Sequence, residues 1–490
     1  MRSRRLPALL ILMGILTAFT GGEDAIAQPH RDQTAGARSV SLRGRTYVDQ
    51  GLVGAGMLSA DTVDFLGDTL GSFSSLKIAR GSWKRVGDHY EGVLWTLPDR
   101  GRNDPAAKLF FNYPGRLNRF RIRFTPATGE FDLTPVGGLE LRDFRGQPFT
   151  GADPDTGTVK ERGIVLPAPA SGPGAGKVSL DAESLQFTRD GGFYIGDEYT
   201  ANVYYFDRQG RLRGVIRPPT AIAPQRAGWS YFGSLEAPDT GRRNNQGPEG
   251  LSLSPDGRTL FVALQSALMQ DSAIGNAAGR INTRVLVYDV SRTATPTRPI
   301  AHHVVHHVVQ LPAYSDRGDG SAPNRTAAQS EILALDDHRF LMLARDAAGR
   351  GAENKTPIAY KSILIVDTTE ATNLAGTPFE TDTASVLNSS LATTLRSGIV
   401  PADGVELIDM LNPVQLARVG LNVAALSEKW EAMDLVPVLD PGRLNDYFLL
   451  VGNDNDFIAR HCRMSGRSCN SDLDNENRIL VYRVVLPAPL

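Results

Sequence analysis

The sequence predicts an all-β fold, a single β-propeller of six blades, and three observations indicate it. The chain has 49 glycines and 30 prolines in 490 residues, and Asp-Gly turns recur, which favours many short strands over long helices. A unit of four strand-like runs joined by tight turns returns along the chain. A glutamate stands at the start of the first run in four places. Such repeats are typical of radial folds.

The clearest unit covers residues 184–216. Four antiparallel strands joined by tight turns make one blade of a propeller. Here the runs occupy residues 184–187, 193–196, 202–207 and 212–216, with Asp190-Gly191 in the first turn. Similar units are expected within residues 251–290, 332–367 and 433–484, and a less regular one within residues 73–144.

Six blades are favoured, and five or seven stay open as alternatives. The sixth blade is expected from one of two segments. Residues 46–67 could pair with the C-terminal strands, or the irregular stretch 377–425 could supply the blade. Residues 401–425 indicate a short helical element that crosses one face. The segment 166–176, rich in proline and glycine, is predicted to be a loop inserted between blades.

The first residues predict export. Three arginines among the first five residues precede an apolar run over residues 6–19, and Ala25-Ile26-Ala27 fits a small-x-small cleavage site. The pattern predicts a signal peptide at 1–27 and one mature domain at 28–490, located in the periplasm or secreted. No later stretch is long and apolar enough for a membrane span.

Composition limits the partners and the redox state. The formal net charge is −2 and no basic block occurs, which argues against nucleic acid as a partner. We expect a monomer. Cys462 and Cys469 are the only cysteines, and in an oxidising compartment their closeness predicts one disulfide around a small loop.

The repeated glutamates predict a metal site. In a propeller, the innermost strands begin at one mouth of the central channel and the second strands return to it. Acids at these positions therefore converge, and crowded carboxylates need a cation or a proton to neutralise them. Carboxylate oxygens suit Ca²⁺ or Mg²⁺ rather than zinc. The predicted ligands are Glu183, Asp197, Glu198, Glu249, Glu331, Glu431, Asp454 and Asp456.

Two Asp–Arg neighbours are the candidate catalytic residues. Asp99 with Arg100, and Asp346 with Arg345, follow strand-like runs whose ends are expected at the same mouth. The arginines could clamp a phosphate, while Asp99 could activate water or hold the metal. Ser75 takes the glutamate's place in the first unit, so that side of the mouth should have room for substrate.

Several of these stretches together resemble the phytase-like family, which is named for esterase-like activity of phytase. The resemblance covers residues 72–483 and implies an exported propeller that hydrolyses small anionic phosphate esters with the help of calcium. It rests on Leu97-Pro98-Asp99-Arg100-Gly101, Asp181-Ala182-Glu183-Ser184-Leu185, Gly196-Asp197-Glu198-Tyr199, Gly247-Pro248-Glu249-Gly250-Leu251 and Val451-Gly452-Asn453-Asp454-Asn455-Asp456-Phe457.

Two alternatives to a metal-dependent phosphoric ester hydrolase stay open. One is a calcium-dependent hydrolase of another ester, such as a lactone. The other is a non-catalytic propeller that binds a ligand and in which calcium is structural. A serine esterase is disfavoured, because the sequence has no Gly-x-Ser-x-Gly elbow with a suitable histidine partner.

Overall fold

The computed structural model describes residues 32–273, 277–291, 302–353 and 355–490. The signal peptide predicted at 1–27 lies outside the described residues. The described part is nearly all-β, as predicted, and is built from four-stranded antiparallel units. In each unit, which we call a blade, the first strand of the unit is the innermost.

The blades follow one another along the chain, except that blade 5 takes its outer strand from the segment before blade 1. Blade 1 comprises Ser75–Ile78, His89–Leu97, Arg116–Thr125 and Glu130–Glu140; blade 2 comprises Ala182–Phe187, Phe193–Asp197, Val203–Phe206 and Leu212–Ile216; blade 3 comprises Pro248–Leu253, Thr259–Leu264, Asn282–Asp289 and His302–Gln310; blade 4 comprises Ala328–Ala334, Arg339–Arg345, Lys361–Asp367 and Asp403–Asp409; blade 5 comprises Lys429–Pro437, Asp446–Asp454, Asn477–Val485 and Arg45–Leu58.

Shorter elements fill the connections. The remaining strands are Arg38–Leu42 and Lys84–Val86 at blade edges, and the hairpins Thr158–Glu161 with Ile164–Pro167, Gln225–Arg226 with Trp229–Ser230, Ala313–Tyr314 with Arg325–Thr326, and Arg463–Met464 with Arg467–Ser468. The helices are Pro378–Thr381, Pro413–Arg418 and the 3₁₀ turns Met269–Asp271, Ala277–Arg280 and Val423–Ala425. Among the described residues, no helix is long and apolar enough to cross a membrane.

The described residues form five blades, a count that the sequence left open, rather than the six that it favoured. Their inner strands contact one another in a closed ring, in the order blade 1, 2, 3, 4, 5 and back to 1. Both segments considered for a sixth blade contribute outer strands instead. Arg45–Leu58 pairs with Asn477–Val485 in blade 5, and Asp403–Asp409 pairs with Lys361–Asp367 in blade 4.

The first and last parts of the chain meet in blade 5. Arg45–Leu58 also touches blade 1, where Ala55 pairs in parallel with Glu130. Glycine is required at this approach, because a Cβ on Gly56 would lie 2.2 Å from the carbonyl oxygen of Phe131. The outer strand of blade 5 thus joins two blades into one sheet and closes the ring.

Each pair of neighbouring blades encloses its own apolar core. Alternate side chains of a strand point to opposite faces of the sheet, so every blade supplies two cores. The five cores are represented by Leu117 with Leu185, Tyr194 with Leu251, Phe261 with Ile332, Leu341 with Met433, and Phe120 with Phe448.

The inner strands all run in the same direction along the channel. Their ends surround a cavity of about 1160 Å³ that Ile78, Phe187, Leu253 and Leu435 help to line. Their starts lie at the other end of the channel, which is where the sequence predicted the acids.

Candidate functional site

A β-bulge places a side chain at the start of the inner strand in four blades. The pairing skips Glu183 in blade 2, Glu249 in blade 3 and Glu431 in blade 5. In blade 4 the skipped residue is Ser330, one position before Glu331. Because a bulge leaves its extra residue unpaired and turns that side chain, the three glutamates are directed differently from their strand neighbours.

Glu331 therefore does not occupy the position that the repeat predicted. Its carboxylate accepts a hydrogen bond of 2.7 Å from Ser75 Oγ and lies 3.5 Å from Lys77 Nζ. It also accepts bonds from the backbone N–H groups of Leu251 and Ile332. Burial raises the pKa of Glu331 to about 7, while Lys77 acts to lower it. This glutamate ties inner strands to one another inside the channel.

Eight carboxyl groups gather at the starts of the inner strands, and we call this group the acidic mouth. Two sets of three have carboxylate oxygens within 4.8 Å of one another, close enough to hold a metal ion: Asp99 with Asp454 and Asp456, and Asp99 with Asp181 and Glu183. Asp99 belongs to both sets. The acidic mouth consists of Asp99, Asp181, Glu183, Glu198, Glu249, Glu431, Asp454 and Asp456.

The acids of the mouth raise one another's pKa. Burial, Asp454 and Asp181 raise the pKa of Asp99 well above its usual value. Burial and the nearby Glu249 raise the pKa of Glu183 well above its usual value. Burial, Glu198 and Glu431 likewise raise the pKa of Glu249. Burial also raises the pKa of Asp181 to about 8, although a neighbouring arginine opposes the shift. A cation at the mouth would favour the ionised forms.

Lys429 is a cation of the mouth that sequence reasoning missed. Its Nζ lies 2.6 Å from Asp456 and 3.4 Å from Asp454. Burial alone would lower the pKa of Lys429, but these two aspartates raise it well above its usual value. Lys429 stands two positions before Glu431 on the same inner strand, and this closeness in sequence to a predicted ligand was the available signal.

Asp181, two positions before Glu183, was also not predicted as a site residue, and it changes the role expected for Arg100. Arg100 Nη1 lies 2.8 Å from Asp181 and 3.0 Å from Ser234 Oγ, and Nη2 donates to Asn245 at 2.5 Å. Only 5% of Arg100 is exposed. The guanidinium is therefore held by the protein itself, whereas the sequence suggested a cation open to substrate.

The two residues of the second predicted Asp–Arg pair, Arg345 and Asp346, have different partners. Arg345 forms an ion pair with Glu431 and so belongs to the mouth. Asp346 lies outside it, because its oxygens accept bonds from Lys361 Nζ at 2.7 Å and from the backbone N–H groups of Ala359 and Tyr360. A carboxylate satisfied in this way organises its loop and has no oxygen left for substrate.

Asp197 and Glu198 are separated in the same manner. Asp197 accepts bonds from the N–H groups of Asp181 and Thr200 and from the Thr200 hydroxyl, so it stabilises the turn after its strand. Glu198 accepts a bond of 3.1 Å from the N–H of Gly247 and contacts Glu249 electrostatically. Of the two adjacent acids, Glu198 is the one at the mouth.

The loop that carries Asp454 and Asp456 is held in an unusual conformation. Asp456 and Phe457 have φ angles of +53° and +54°, which L residues adopt rarely outside functional or tightly constrained sites. Asn455 Oδ1 accepts bonds from Ser72 and Phe457, which fixes the loop. The predicted disulfide between Cys462 and Cys469 is present and packs with Phe457 in one apolar cluster.

The donor set of the mouth fits a hard divalent cation. Among the described residues, Oδ1 of Asp181 and Oε2 of Glu249 are buried without a hydrogen-bond partner. A buried carboxylate oxygen without a partner is costly, and a metal ion would satisfy it. The donors are all oxygens, as Ca²⁺ and Mg²⁺ prefer.

A family model and one relative match most of the chain. The model described as phytase-like, with esterase-like activity of phytase, covers residues 70–457. An uncharacterized secreted protein of Arthroderma benhamiae is 34% identical over 504 residues, which cover 92% of this chain and 96% of the relative.

Similarity to solved structures is weak. A chain in the S. cerevisiae structure of Dbp5 bound to Nup159, Gle1, IP6 and ADP shares 8% identity over 94% of this chain and 98% of its own, with a TM-score of 0.31. A mutant of the GH43 protein BlXynB from Bacillus licheniformis shares 11% identity over 71% of this chain and 54% of its own, with a TM-score of 0.27. These two likenesses carry no weight for the site.

Proposed function

Because this chain belongs to the phytase-like family, we propose that it is an exported hydrolase of phosphate esters that works with calcium at the acidic mouth. One observation carries the proposal: Asp99 stands in two sets of three carboxylates whose oxygens lie within 4.8 Å of one another. The proposed unit is the mature domain at 28–490.

The charge of the mouth supports a divalent cation. Three cations, Arg100, Arg345 and Lys429, each pair with acids of the mouth, and more carboxyl groups remain than these cations can neutralise. An anionic ester would be repelled by such a site. A bound Ca²⁺ or Mg²⁺ would reverse the local field, hold phosphate oxygens and lower the pKa of a bound water.

The chain's own residues supply the rest of the mechanism. Asp99, Asp181, Glu183, Asp454 and Asp456 are the proposed metal ligands, since these acids form the two sets. Lys429 holds Asp454 and Asp456 in place, and Arg345 holds Glu431. Arg100 orients Asp181, so we assign it a positioning role rather than a substrate contact.

The compartment and the partners are part of the proposal. The secreted relative, the predicted signal peptide and the disulfide support a periplasmic or secreted protein. Its substrate would be a small anionic ester, and we expect it to act as a monomer without nucleic acid.

The proposal is tested with the purified mature protein and three substrates: a phosphomonoester, a phosphodiester and a lactone. Each is assayed with Ca²⁺, with Mg²⁺ and with excess chelator. We expect phosphate ester turnover that the chelator abolishes and calcium restores. Turnover of the lactone alone would reject phosphate esters as the substrate and favour a calcium-dependent lactone hydrolase. Calcium binding without any turnover would favour a non-catalytic, ligand-binding propeller. Full activity in chelator would reject the metal mechanism.

A further inference from the structure

Three loops meet where blade 5 closes against blade 1, at the end of the molecule that carries the acidic mouth. They are the connections at 59–74, 98–115 and 455–476. The N–H of Thr69 donates to the carbonyl oxygen of Arg463 at 2.7 Å, and the N–H of Ser465 donates to Asp68 at 2.7 Å. Ser465 Oγ donates to the carbonyl oxygen of Asn112 at 2.9 Å. The three loops therefore form one continuous surface.

The first of these loops presents apolar side chains on a firmly held hairpin. Val63 and Leu66 are 51% and 40% exposed. Beside them, Asp64 and Asp68 form ion pairs with Arg116, and none of these three side chains is more than 9% exposed. The buried pairs fix the base of the hairpin and keep its two acids away from solvent. Its exposed surface is therefore apolar.

The neighbouring hairpin at residues 463–468 carries positive charge and is closed by the disulfide. Arg463 and Arg467 are exposed, and in the part of the chain that the structure describes neither forms an ion pair. The third loop adds Lys108, which is exposed, and Leu109, which is 45% exposed. We call this group the tip surface, and it consists of Val63, Leu66, Lys108, Leu109, Arg463 and Arg467.

The tips of the two hairpins project into open space. Gly67 and Gly466 stand in their turns with φ angles of +88° and +74°, and a Cβ on either glycine would meet nothing within 4 Å. Exposed apolar side chains grouped in one place mark a contact surface. A lipid bilayer accepts projecting apolar side chains without a shaped pocket, and its anionic headgroups attract the basic residues beside them.

We propose that the tip surface docks this protein on a bilayer that contains anionic phospholipids. The apolar side chains enter the boundary between headgroups and acyl chains, and Lys108, Arg463 and Arg467 lie among the lipid phosphates. Stable attachment to a membrane surface requires two such attractions together, and the tip surface supplies both. The bound protein would hold its acidic mouth close to the bilayer. The inference does not depend on the proposed function, because no metal or ester takes part in docking.

The first test is co-sedimentation of the full mature protein with vesicles in excess chelator, so that calcium cannot bridge the mouth to lipid. We expect binding to vesicles of phosphatidylcholine with phosphatidylglycerol, and little binding to phosphatidylcholine alone. High salt should release the protein, because it screens exposed charges. Absence of binding to the anionic vesicles, or equal binding to both kinds, would overturn the proposal.

Two double variants separate the two attractions. Arg463→Gln with Arg467→Gln should weaken binding roughly twentyfold, since each basic residue near an anionic surface contributes about fivefold. Val63→Ser with Leu66→Ser should weaken it about tenfold or more, because burial of their apolar atoms is lost. The changed residues are exposed, so the melting temperature should stay the same.

Arg258→Gln and Leu444→Ser are the matched controls, because both residues are exposed and lie at the opposite end of the molecule. Neither should change binding. Equal losses in the controls, or full binding by either double variant, would reject the tip surface. Self-association of the wild-type protein that the double variants abolish, without vesicle binding, would make this surface an interface between copies and reject the lipid.

The second test asks whether the apolar tip enters the bilayer. Leu66→Trp places a fluorophore there, and brominated lipids should quench its emission when vesicles bind. Leu444→Trp is the control, and the wild-type protein measures the background of the four native tryptophans. Quenching of Leu66→Trp no greater than that of the control would contradict the proposed orientation.

Discussion

Single carboxyl groups decide what the acidic mouth can bind. Asp99 is 6% exposed and accepts a bond of 2.9 Å from the N–H of Gly101, which fixes its position between the two sets of acids. Its pKa is raised well above the usual value by burial and by Asp454 and Asp181. In the absence of metal, this residue is therefore a source of repulsion rather than of stability.

We expect Asp99→Asn to separate metal binding from folding. The change removes a charge from both sets of acids at nearly constant volume, so calcium affinity should fall about tenfold or more, since even outer-shell changes alter metal affinity about 10- to 100-fold. The melting temperature in chelator should not fall, because repulsion is relieved. Thermal unfolding with and without calcium measures both. Asp132→Asn, on the exposed outer strand of blade 1, is the control, and an unchanged calcium response in Asp99→Asn would contradict the assignment.

Lys429→Gln should change thermal stability in the opposite direction from Asp99→Asn. Lys429 pairs with Asp454 and Asp456, so its loss leaves these acids without their cation when no metal is bound. The melting temperature in chelator should fall, and the increase produced by calcium should become larger than in the wild type. The same melts, run over a calcium titration, measure this change. An identical calcium increment would indicate that the lysine and the metal do not share ligands.

At the scale of elements, the position of the β-bulge in each inner strand determines where its glutamate lies. Three glutamates lie at the mouth, and Glu331 lies inside the channel. Glu183, Glu249 and Glu431 are the skipped residues of their strands, while Glu331 follows the skipped Ser330. Sequence reasoning aligned Glu331 with the others because all four precede an apolar run. A shift of one residue changes the direction of a strand side chain, and no sequence pattern marked where the bulge would form.

Glu331→Gln should therefore affect stability and leave metal binding unchanged. Lys77 and Glu331 are 5% and 0% exposed in their side chains, and removing one member of a buried pair costs roughly 3 to 5 kcal/mol. Urea unfolding measures the loss, and Lys77→Met combined with Glu331→Gln should recover part of it. A reduced calcium affinity with normal stability would contradict this prediction and indicate that Glu331 is a metal ligand.

At the scale of the whole molecule, the ring depends on how closely blade 5 approaches blade 1. The propeller class, the strands of most blades and the disulfide could be predicted, because tight turns and repeated runs are local signals. The blade count could not, since the pairing of residues 46–67 with the C-terminal strands, one of the two options predicted, supplies the fourth strand of blade 5 rather than a blade of its own. The cavity of about 310 Å³ that Gln246, Arg280 and Arg325 help to line could not be predicted either, because these residues lie in three separate connections that only the fold brings together.

Gly56→Ala tests the close contact between blade 5 and blade 1 directly. The new Cβ would lie 2.2 Å from the carbonyl oxygen of Phe131, and backbone cannot move away as a flexible side chain can. We expect a loss of about 1 to 3 kcal/mol or more in the free energy of unfolding, as for other overpacked sites. Gly36→Ala should be neutral, because nothing lies within 4 Å of a Cβ there. Equal stability of both variants would show that the contact between the blades is looser.

The strand Arg45–Leu58 also sets the order in which the protein can fold. It pairs with Asn477–Val485, so a strand synthesised early must wait for one synthesised much later. Until then blade 5 cannot form, and the long strand presents unpaired backbone groups that favour aggregation. Non-local pairing of this kind slows folding. A chain that crosses a membrane before it folds would avoid this interval in the cytoplasm, whereas a copy retained there should depend on chaperones that bind extended segments.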